Sequence, residues 1–264
     1  MNHALGSVER QVIDLTRETG NFILKESRNF DRGRVEQKGR FNNLVSYVDK
    51  ESERRLVEAL GKIIPGSGFL AEEGTEMRGN DWQWIIDPLD GTTNFTHGLP
   101  PFAISIGLSF QDRMVLGVVL EVNSGELFHS FEGAPVFCNE TEVRVAATTS
   151  LDQSLLATGF PYLQADKMDA HLSIIRSFLH QTHGIRRLGS AATDLAYVAC
   201  GRLDGFFEYR LGPWDVAAGG FLVMQAGGRV TDVNDGPGFL HGGQLCAGNA
   251  IHPLMLAVIR EHWV

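Results

Sequence analysis

The stretch WIIDPLDGTT, residues 84–93, joins an apolar run to two carboxylates and then to a Gly-Thr-Thr sequence. An apolar run that meets proline and glycine predicts a buried strand ending in a turn, with a helix beginning just beyond it. Such a turn brings carboxylate oxygens and backbone N–H groups to one place. Hard divalent cations bind the first and phosphates bind the second. The stretch therefore indicates a site where a metal ion and a phosphate meet.

The chain of 264 residues is long enough for one large domain, or for two domains that share an interface. Its net charge of −9 argues against nucleic acid as a direct partner, because neutralising phosphates requires clustered Lys and Arg. The densest basic group, Arg186 and Arg187 with Arg176 nearby, is interpreted as an interface or surface group. The acidic balance instead favours a protein that holds metal ions.

The cysteine usage and the N-terminus bear on the cellular compartment. Cys138, Cys200 and Cys246 are widely spaced and form no C-x-x-C motif, which argues against a disulfide framework or a zinc site. A reducing cytosol fits this usage. The N-terminus lacks the features of a signal peptide, and no apolar run approaches the ~20 residues of a membrane helix. We therefore expect a cytoplasmic protein without a membrane partner.

The spacing of apolar residues predicts two helices in the first part of the chain. Residues 6–27 have a helical period with a weak point at Gly20, and residues 49–64 form the second helix. Residues 28–45 between them are polar and predict irregular structure. A short strand is predicted at 69–71.

The rest of the chain changes from strands to an alternation of strands and helices. Residues 102–110 and 114–122 predict antiparallel strands around a turn, and strand patterns continue to residue 145. Further strands are predicted near Leu155, 205–209 and Leu245, and helices at 167–180, 191–200, 216–226 and 252–264.

This change of pattern near residues 145–150 predicts two halves. The first half, residues 1–147, is α+β and carries most of the predicted metal ligands. The second half, residues 148–264, is α/β and completes the active site.

Carboxylates recur where the predicted strands and helices meet turns. The positions are Asp49, Glu72, Glu73, Asp87, Asp90 and Asp215. Each one alone is an ordinary turn or helix-cap residue. Their shared placement favours a common cleft, because α/β folds gather ligand groups at such junctions. Carboxylates in one cleft repel one another unless divalent cations bind there, and all-oxygen ligation favours magnesium over zinc.

The residues after these carboxylates suit a phosphate. Gly91, Thr92 and Thr93 stand at the predicted helix start, where N–H groups and the helix dipole favour an anion. Two magnesium ions can activate an attacking water and neutralise the leaving oxygen. No Ser or Cys lies beside a positioned base in these motifs, so no phospho-enzyme is expected. The residues predict a metal-dependent phosphate-ester hydrolase.

Other side chains are assigned structural roles. The nine histidines form no H-x-H or HExxH motif and are not predicted as metal ligands. Trp82, Trp84 and Trp214 are predicted to pack within the protein rather than to contact a ligand.

The chain resembles the inositol monophosphatase family, in the wider superfamily of lithium-sensitive, magnesium-dependent phosphatases. The resemblance is carried by Glu72-Glu73, WIIDPLDGTTNF at 84–95 and WDVAAG at 214–219, three ordered motifs that are together highly specific. It extends over nearly the whole chain, through KG at 38–39, SYVD at 46–49, residues 189–208 and AGN at 247–249, and is closest to bacterial members. It implies a mixed α/β (α+β) fold, a layered αβαβα sandwich with the active site between its halves.

The resemblance also implies the metal ligands. Glu72, Asp87 and the Leu89 carbonyl resemble the ligands of a first ion. The ligands of a second ion correspond to Asp87, Asp90 and Asp215. A third, weaker ion depends on Glu72 and water. The implied cofactor is Mg²⁺, with two to three ions, and the implied inhibitor is Li⁺.

Catalytic and substrate-binding residues follow from the same resemblance. Thr92, polarised by Asp49, resembles the pair that orients and deprotonates the attacking water, and Glu72 joins them as an implied catalytic residue. The N–H groups of Gly91 and Thr92 resemble a phosphate cradle. The positions that contact the inositol hydroxyls correspond to Asp90, Ser190, Ala191 and Glu208.

We therefore predict magnesium-dependent hydrolysis of a phosphate monoester, preferably an inositol monophosphate, by metal-activated water. Histidinol phosphate, nucleotide 3′-phosphates and a broad range of sugar phosphates are alternatives, although Thr93-Asn94-Phe95 favours inositol. Binding of transcription or ribosome-assembly factors is a different class of function, and the intact metal motifs make it an additional role. The resemblance further implies a homodimer.

Overall fold

The computed structural model describes residues 2–31, 33, 35–37, 44–160 and 167–263. The helices are α1 (Asn2–Ser27), α2 (Tyr47–Ile63), α3 (Thr92–His97), α4 (Met168–Leu179), α5 (Ala191–Ala199), α6 (Pro213–Gln225), α7 (Phe239–Gly242) and α8 (His252–His262). The strands are β1 (Val35–Gln37), β2 (Leu44–Ser46), β3 (Gly68–Ala71), β4 (Glu76–Met77), β5 (Trp82–Asp90), β6 (Ala103–Phe110), β7 (Arg113–Glu121), β8 (Glu126–Phe131), β9 (Val136–Cys138), β10 (Thr141–Val143), β11 (Leu155–Thr158), β12 (Gly184–Arg186), β13 (Gly205–Tyr209), β14 (Arg229–Thr231) and β15 (Gln244–Gly248).

The first sheet has eight strands in the order β10-β9-β8-β7-β6-β5-β3-β4. Its central strands β6 and β7 are buried along most of their length on both faces, because helices cover the sheet on each side. These two strands pair antiparallel around a turn in which Gln111 and Asp112 have φ of 49° and 60°. Positive φ at successive turn residues is typical of tight hairpins. The predicted pair of strands around this turn is confirmed.

Helices α1 and α2 cover one face of the first sheet. α1 packs against β7 and β8, and α2 packs against β5. Val12 and Ile23 of α1 share their core with Leu56 of α2, and all three are fully buried. The predicted weak point at Gly20 has a packing reason, since a Cβ there would lie 2.4 Å from Cδ2 of Leu120 on β7. Glycine therefore lets α1 lie close to the sheet.

Helices α5 and α6 lie between the two sheets. The second sheet has the order β12-β11-β13-β15-β14, with β11 parallel to β12 and β13 and the remaining pairs antiparallel. α6 contacts β6 and β7 of the first sheet and β14 and β15 of the second. A Cβ on Gly219 would lie 2.6 Å from Cβ of Leu195, so this glycine permits the close approach of α5 and α6.

Helices α4 and α8 pack together over the outer face of the second sheet. Phe178 of α4, Leu256 and Ile259 of α8 and Phe207 of β13 form a buried cluster there. The layers therefore run helix, sheet, helix, sheet, helix. This order confirms the mixed α/β fold with an αβαβα sandwich.

The predicted elements are largely confirmed, with differences near the N-terminus. α2 begins at Tyr47 rather than at residue 49, because the Ser46 side chain accepts a hydrogen bond from the Val48 N–H and caps the helix. The prediction of irregular structure at 28–45 is wrong where β1 and β2 pair antiparallel. β1 is Val-Glu-Gln and β2 is Leu-Val-Ser, and three residues are too few for an alternating pattern that would predict pairing. The KG motif at 38–39 lies outside the described residues.

The division into residues 1–147 and 148–264 stays a proposal. The first sheet ends at Val143 and the second begins at Leu155, yet α5 and α6 pack against both sheets. Within the described residues, no helix has the length and apolar character needed to cross a membrane.

Candidate active site

Strand β5 carries two of the predicted ligands to the edge of the cleft. Trp84 and Ile86 are fully buried, and Asp87 follows them with 1% of its surface exposed. The pairing of β5 with β6 becomes irregular between Asp87 and Asp90. There the chain bends, and Asp87 Oδ1 accepts a hydrogen bond of 2.9 Å from the Leu89 N–H. The bend turns both carboxylates toward the same space, and it confirms the predicted strand and turn.

Gly91 connects β5 to the short helix α3. Its φ of 91° lies in the left-handed region, which favours glycine. A Cβ there would also lie 3.0 Å from the Gly189 carbonyl oxygen and 3.2 Å from that of Pro101. A side chain at this position would crowd the backbone at Gly189 and Pro101. The predicted helix is confirmed, and it is only six residues long.

Asp87, Asp90 and Asp215 offer carboxylate oxygens that all lie within 4.8 Å of one another. Asp215 enters this group from the first turn of α6, where its Oδ2 accepts a 2.6 Å hydrogen bond from the Gly212 N–H. Three carboxylate oxygens at such distances suit a hard divalent cation. The donor set therefore fits magnesium.

The electrostatics of Asp87, Asp90 and Asp215 favour the binding of a cation. Burial, and then the charges of neighbouring carboxylates including Glu72, raise the pKa of Asp87 and of Asp215 well above the usual range. Burial also raises the pKa of Asp90 to about 6, against the opposing effect of its hydrogen bonds from Ser190 and Ala192. Without a cation the ionised carboxylates oppose one another at close range.

Glu72 and Leu89 line the same cleft. Glu72 directly follows β3, which pairs in parallel with β5, and its N–H donates to the Ile86 carbonyl at 3.2 Å. Glu72 is not part of the close group of three aspartates, although its charge raises the pKa of each of them. The structure thus brings every predicted metal-ligating residue to one cleft, while their individual roles remain a proposal.

Thr92 and Asp49 meet at the edge of the cleft, as predicted. Thr92 Oγ1 lies 2.8 Å from Asp49 Oδ1 and 3.1 Å from the Leu89 carbonyl oxygen. The other oxygen of Asp49 accepts hydrogen bonds from the N–H and the hydroxyl of Ser46, at 2.8 and 2.5 Å. Burial raises the pKa of Asp49, and the hydrogen bonds from Ser46 and Thr92 oppose that effect.

The opposite wall begins at the N-terminus of α5. The Ser190 hydroxyl donates to Asp90 Oδ2 at 2.6 Å, and the Ala192 N–H donates to the same oxygen at 2.7 Å. Ser190 also caps α5 by accepting from the Thr193 N–H at 3.2 Å. The predicted contact positions Ser190 and Ala191 both line the cleft.

Glu208 reaches the cleft from β13. A Cβ on Gly159 would lie 2.1 Å from Glu208 Oε2, so the bare backbone of β11's end makes room for this carboxyl group. Burial raises the pKa of Glu208 to about 8, with Arg187 opposing the shift. Below that pH the group is protonated and can donate a hydrogen bond to an acceptor in the cleft.

Arg187 has a second role that the sequence did not indicate. It is exposed, as predicted for a surface group, but it also lines the cleft, where its charge acts on Asp90, Glu208 and Asp194. Gly189 has a φ of 96°, and a Cβ there would lie 2.3 Å from Arg187 Nη1, so this glycine leaves room for the guanidinium group. Its position two residues before the Gly189 motif was the available signal.

Two further residues of the cleft were not predicted from the sequence to lie there. Trp214 lines the cleft, although it was predicted only to pack within the protein. Asp194 is buried and lines the cleft as well, and its Oδ1 has no hydrogen-bond partner among the described residues. Its position four residues after Ser190 in α5, on the same face of the helix, could have indicated it.

The cleft has a volume of about 520 Å³, in the range of small-molecule sites. Its lining includes the aspartate group together with Glu208 and Arg187. An acidic cleft in a layered α/β fold is typical of metal-dependent phosphatases. The model of the inositol monophosphatase family matches residues 5–263. The chain belongs to this family, which is magnesium-dependent.

Known proteins support the assignment over nearly the full length. The Nus factor SuhB of Pseudomonas aeruginosa is 41% identical over 253 residues, with 93% of each chain covered. The inositol-1-monophosphatase of Mesorhizobium japonicum is 44% identical over 209 residues, covering 78% of this chain and 79% of that protein. The crystal structure of the extragenic suppressor protein suhB from Bartonella henselae has a TM-score of 0.91 at 37% identity, covering 97% of this chain and 99% of that one.

Proposed function

We propose that this chain is a magnesium-dependent phosphatase that hydrolyses phosphate monoesters, with inositol monophosphate as the preferred substrate. The observation that carries the proposal is the approach of Asp87, Asp90 and Asp215 to within 4.8 Å, beside the hydrogen-bonded pair of Thr92 and Asp49. Bound Mg²⁺ would neutralise these carboxylates, polarise the phosphate and lower the pKa of a coordinated water. Glu72 and the Leu89 carbonyl complete the proposed ligand set.

Thr92 and Asp49 orient the attacking water in this proposal. A hydroxyl has one proton, and donation to Asp49 leaves the oxygen of Thr92 able to accept a hydrogen bond from the water. The proton then passes through the hydroxyl toward the Asp49 carboxylate. The raised pKa of Asp49 makes its carboxylate a stronger base than a solvent-exposed aspartate.

The remaining residues of the cleft hold the substrate. The first turn of α3 leaves N–H groups without acceptors inside the helix, and those of Gly91 and Thr92 are proposed to bind the phosphate. Asp90 and the wall of Ser190, Ala191 and Glu208 are proposed to contact the hydroxyls of the alcohol portion. A protonated Glu208 would donate to a hydroxyl oxygen, and an ionised one would accept from a hydroxyl proton.

A substrate panel tests the proposal. Released phosphate is measured for inositol, sugar, histidinol and nucleotide phosphates, each with Mg²⁺ and with a chelator. The highest kcat/KM is expected for an inositol monophosphate, and only with Mg²⁺. A higher value for a nucleotide or histidinol phosphate would contradict the substrate, and release that is unaffected by the chelator would contradict the mechanism.

Thr92→Val is expected to lower kcat by about 10²-fold, because it removes the hydroxyl that links the water to Asp49. Thr92→Ser keeps the hydroxyl and is expected to retain most of the activity. KM is expected to change little in either variant, and steady-state kinetics at saturating Mg²⁺ provide the measurement. Equal losses of kcat in the two variants would contradict the proposed role of the hydroxyl, because Ser retains it.

Lithium inhibition is a further proposal, which rests on the resemblance to lithium-sensitive phosphatases. Millimolar Li⁺ is expected to reduce phosphate release, and the fraction of activity that is lost is expected to depend on the Mg²⁺ concentration. One titration of Li⁺ against Na⁺ at equal ionic strength checks this, with K⁺ as a second control. Full activity in Li⁺ at millimolar concentration would contradict it.

An additional interaction role is the second candidate function, because a relative with 41% identity is called a Nus factor. A pull-down with a catalytically inactive variant separates this role from catalysis, since protein binding that is independent of turnover should survive the substitution. The homodimer implied by family resemblance is likewise a proposal, which sedimentation velocity would test.

A further inference from the structure

Glu53 is a buried carboxylate one helical turn after Asp49. It lies in α2 with 5% of its surface exposed. Its Oε2 accepts a 2.7 Å hydrogen bond from the Glu73 N–H. Its Oε1 accepts from the N–H and the hydroxyl of Thr75, at 3.1 and 2.6 Å. One side chain therefore holds three donors of a single turn.

That turn contains Glu72. It connects β3 to β4, and it is closed by a hydrogen bond of 2.9 Å in which the Thr75 carbonyl accepts from the Ala71 N–H. Gly74 in the same turn has a φ of 112°, which lies outside the range that other residues favour. The backbone at Glu72 is therefore hydrogen-bonded on both sides. The Glu72 N–H donates to the Ile86 carbonyl of β5, and the Glu73 N–H donates to Glu53.

The donors to Glu53 are backbone N–H groups and a hydroxyl, rather than a basic side chain. Hydrogen bonds to a charged acceptor are stronger than neutral ones and strongly directional. Their geometry fixes where the turn sits relative to α2. Asp49 and Glu53 are four residues apart, so they share one face of this helix. Asp49 accepts a hydrogen bond from Thr92, and Glu53 accepts hydrogen bonds from the turn that contains Glu72. The proposed water-orienting pair and the turn of the proposed ligand Glu72 are therefore both positioned by α2.

We propose that Glu53 is a positioning residue for the magnesium site, which acts by holding the Glu72 carboxylate in the direction that ligation requires. This inference rests on the proposed function, because Glu72 is a proposed ligand. Residues that support metal ligands typically change metal affinity or activity by roughly 10–100-fold when substituted. Glu53 contacts neither the substrate nor the metal and is not a catalytic residue.

Glu53→Gln tests the proposal, because it keeps the size of the side chain and replaces one acceptor oxygen with an NH₂ group. The new NH₂ group faces the N–H of Glu73 or the N–H and hydroxyl of Thr75, and it cannot accept a hydrogen bond from these donors. The Mg²⁺ concentration at half-saturation is measured twice, by calorimetric titration without substrate and by phosphate release. Both values are expected to rise by about 10-fold, with a smaller change in kcat at saturating Mg²⁺.

Glu51→Gln is the matched control. Glu51 lies on the same helix and loses the same charge, but its partners Arg54 and Arg55 lie at the surface and away from the turn of Glu72. Its Mg²⁺ half-saturation is expected to match that of the wild type. The melting temperature of the metal-free protein is recorded for each variant. A lower melting temperature in Glu53→Gln with unchanged Mg²⁺ half-saturation would show a purely structural role and overturn the inference.

Thr75→Val provides a second variant if Glu53→Gln does not fold. It removes only the hydroxyl donor to Glu53, and a rise of about 3-fold in Mg²⁺ half-saturation is expected, smaller than the range for a full supporting residue. No rise in this variant would overturn the inference. If the wild type binds Mg²⁺ but hydrolyses no phosphate ester, the proposed function fails while a shifted half-saturation still supports the role of Glu53. If the wild type does not bind Mg²⁺, both proposals fail.

Discussion

Asp90→Asn is expected to lower kcat/KM by at least about 10³-fold, because a lost carboxylate charge in a metal site removes several kcal/mol of transition-state stabilisation. The fold is expected to survive. Asp90 uses a single oxygen, Oδ2, to accept from both Ser190 and Ala192, and an asparagine carbonyl can accept the same two hydrogen bonds. The other oxygen becomes an NH₂ group, which cannot ligate a cation. Asp215→Asn is expected to behave in the same way, since one oxygen suffices for the Gly212 N–H.

The stability of the metal-free variant distinguishes lost chemistry from lost structure. Removing one charge from the aspartate group lowers the repulsion, so the melting temperature of metal-free Asp90→Asn is expected to equal or exceed that of the wild type. Circular dichroism melts and phosphate release are the two measurements. Asp152→Asn is the control for the loss of one negative charge, because Asp152 is exposed and is not among the residues that line the cleft. Near-normal activity of Asp90→Asn with Mg²⁺ would rule out the proposed site.

Magnesium is expected to stabilise the protein strongly at pH 8 and weakly at pH 5. At about 100 times its dissociation constant, a ligand that binds only the folded state adds roughly 2.7 kcal/mol. For a chain of this size that corresponds to a rise of roughly 5–10 °C in melting temperature. The pH dependence follows from the raised pKa values of the aspartate group, of which that of Asp90 is about 6.

The direction of this effect follows from proton linkage. A carboxyl group with a raised pKa binds its proton more tightly when folded, so its contribution to stability is present below its usual pKa. That contribution is lost as the pH rises through the folded value, about 6 for Asp90. Mg²⁺ competes with these protons and binds the ionised carboxylates, so its effect grows over the same pH range.

Thermal melts with Mg²⁺ and with a chelator, at both pH values, provide the measurement. The difference between the two melts at one pH cancels the contributions of groups outside the cleft. Asp215→Asn is expected to lose most of the magnesium-dependent shift at pH 8, whereas Asp152→Asn is expected to keep it. Equal shifts at pH 5 and pH 8 in the wild type would contradict the linkage to these carboxylates.

The strand, turn and helix around residues 84–93 could be predicted because their causes are local. The buried run from Trp84 to Ile86, the bend at Pro88 and the positive φ of Gly91 depend on neighbours within a few residues. The layered fold was predicted from the resemblance of ordered motifs, and the family match confirms that resemblance. The pairing of β1 with β2 was missed because strands of three residues are too short to show a pattern that specifies a partner.

Arg187 and Glu53 show why part of the site could not be predicted from the sequence. Arg187 is exposed and also lines the cleft, and nothing in its local sequence distinguishes it from other exposed arginines. Glu53 resembles any acidic residue of a charged helix, and its burial depends on a turn more than twenty positions away. Hydrogen bonds between residues far apart in the sequence are not encoded in local periodicity.

The sequence by itself determined which chemistry is available here. Its acidic residues at the ends of strands and starts of helices, together with Gly91 and Thr92, specify oxygen ligands and phosphate-binding N–H groups, because these properties belong to residue types and their local conformations. Only the tertiary structure decided that they act in one place. Asp49 meets Thr92 across 43 positions and Ser190 meets Asp90 across 100, since the packing of α2, β5 and α5 sets distances that no local rule contains.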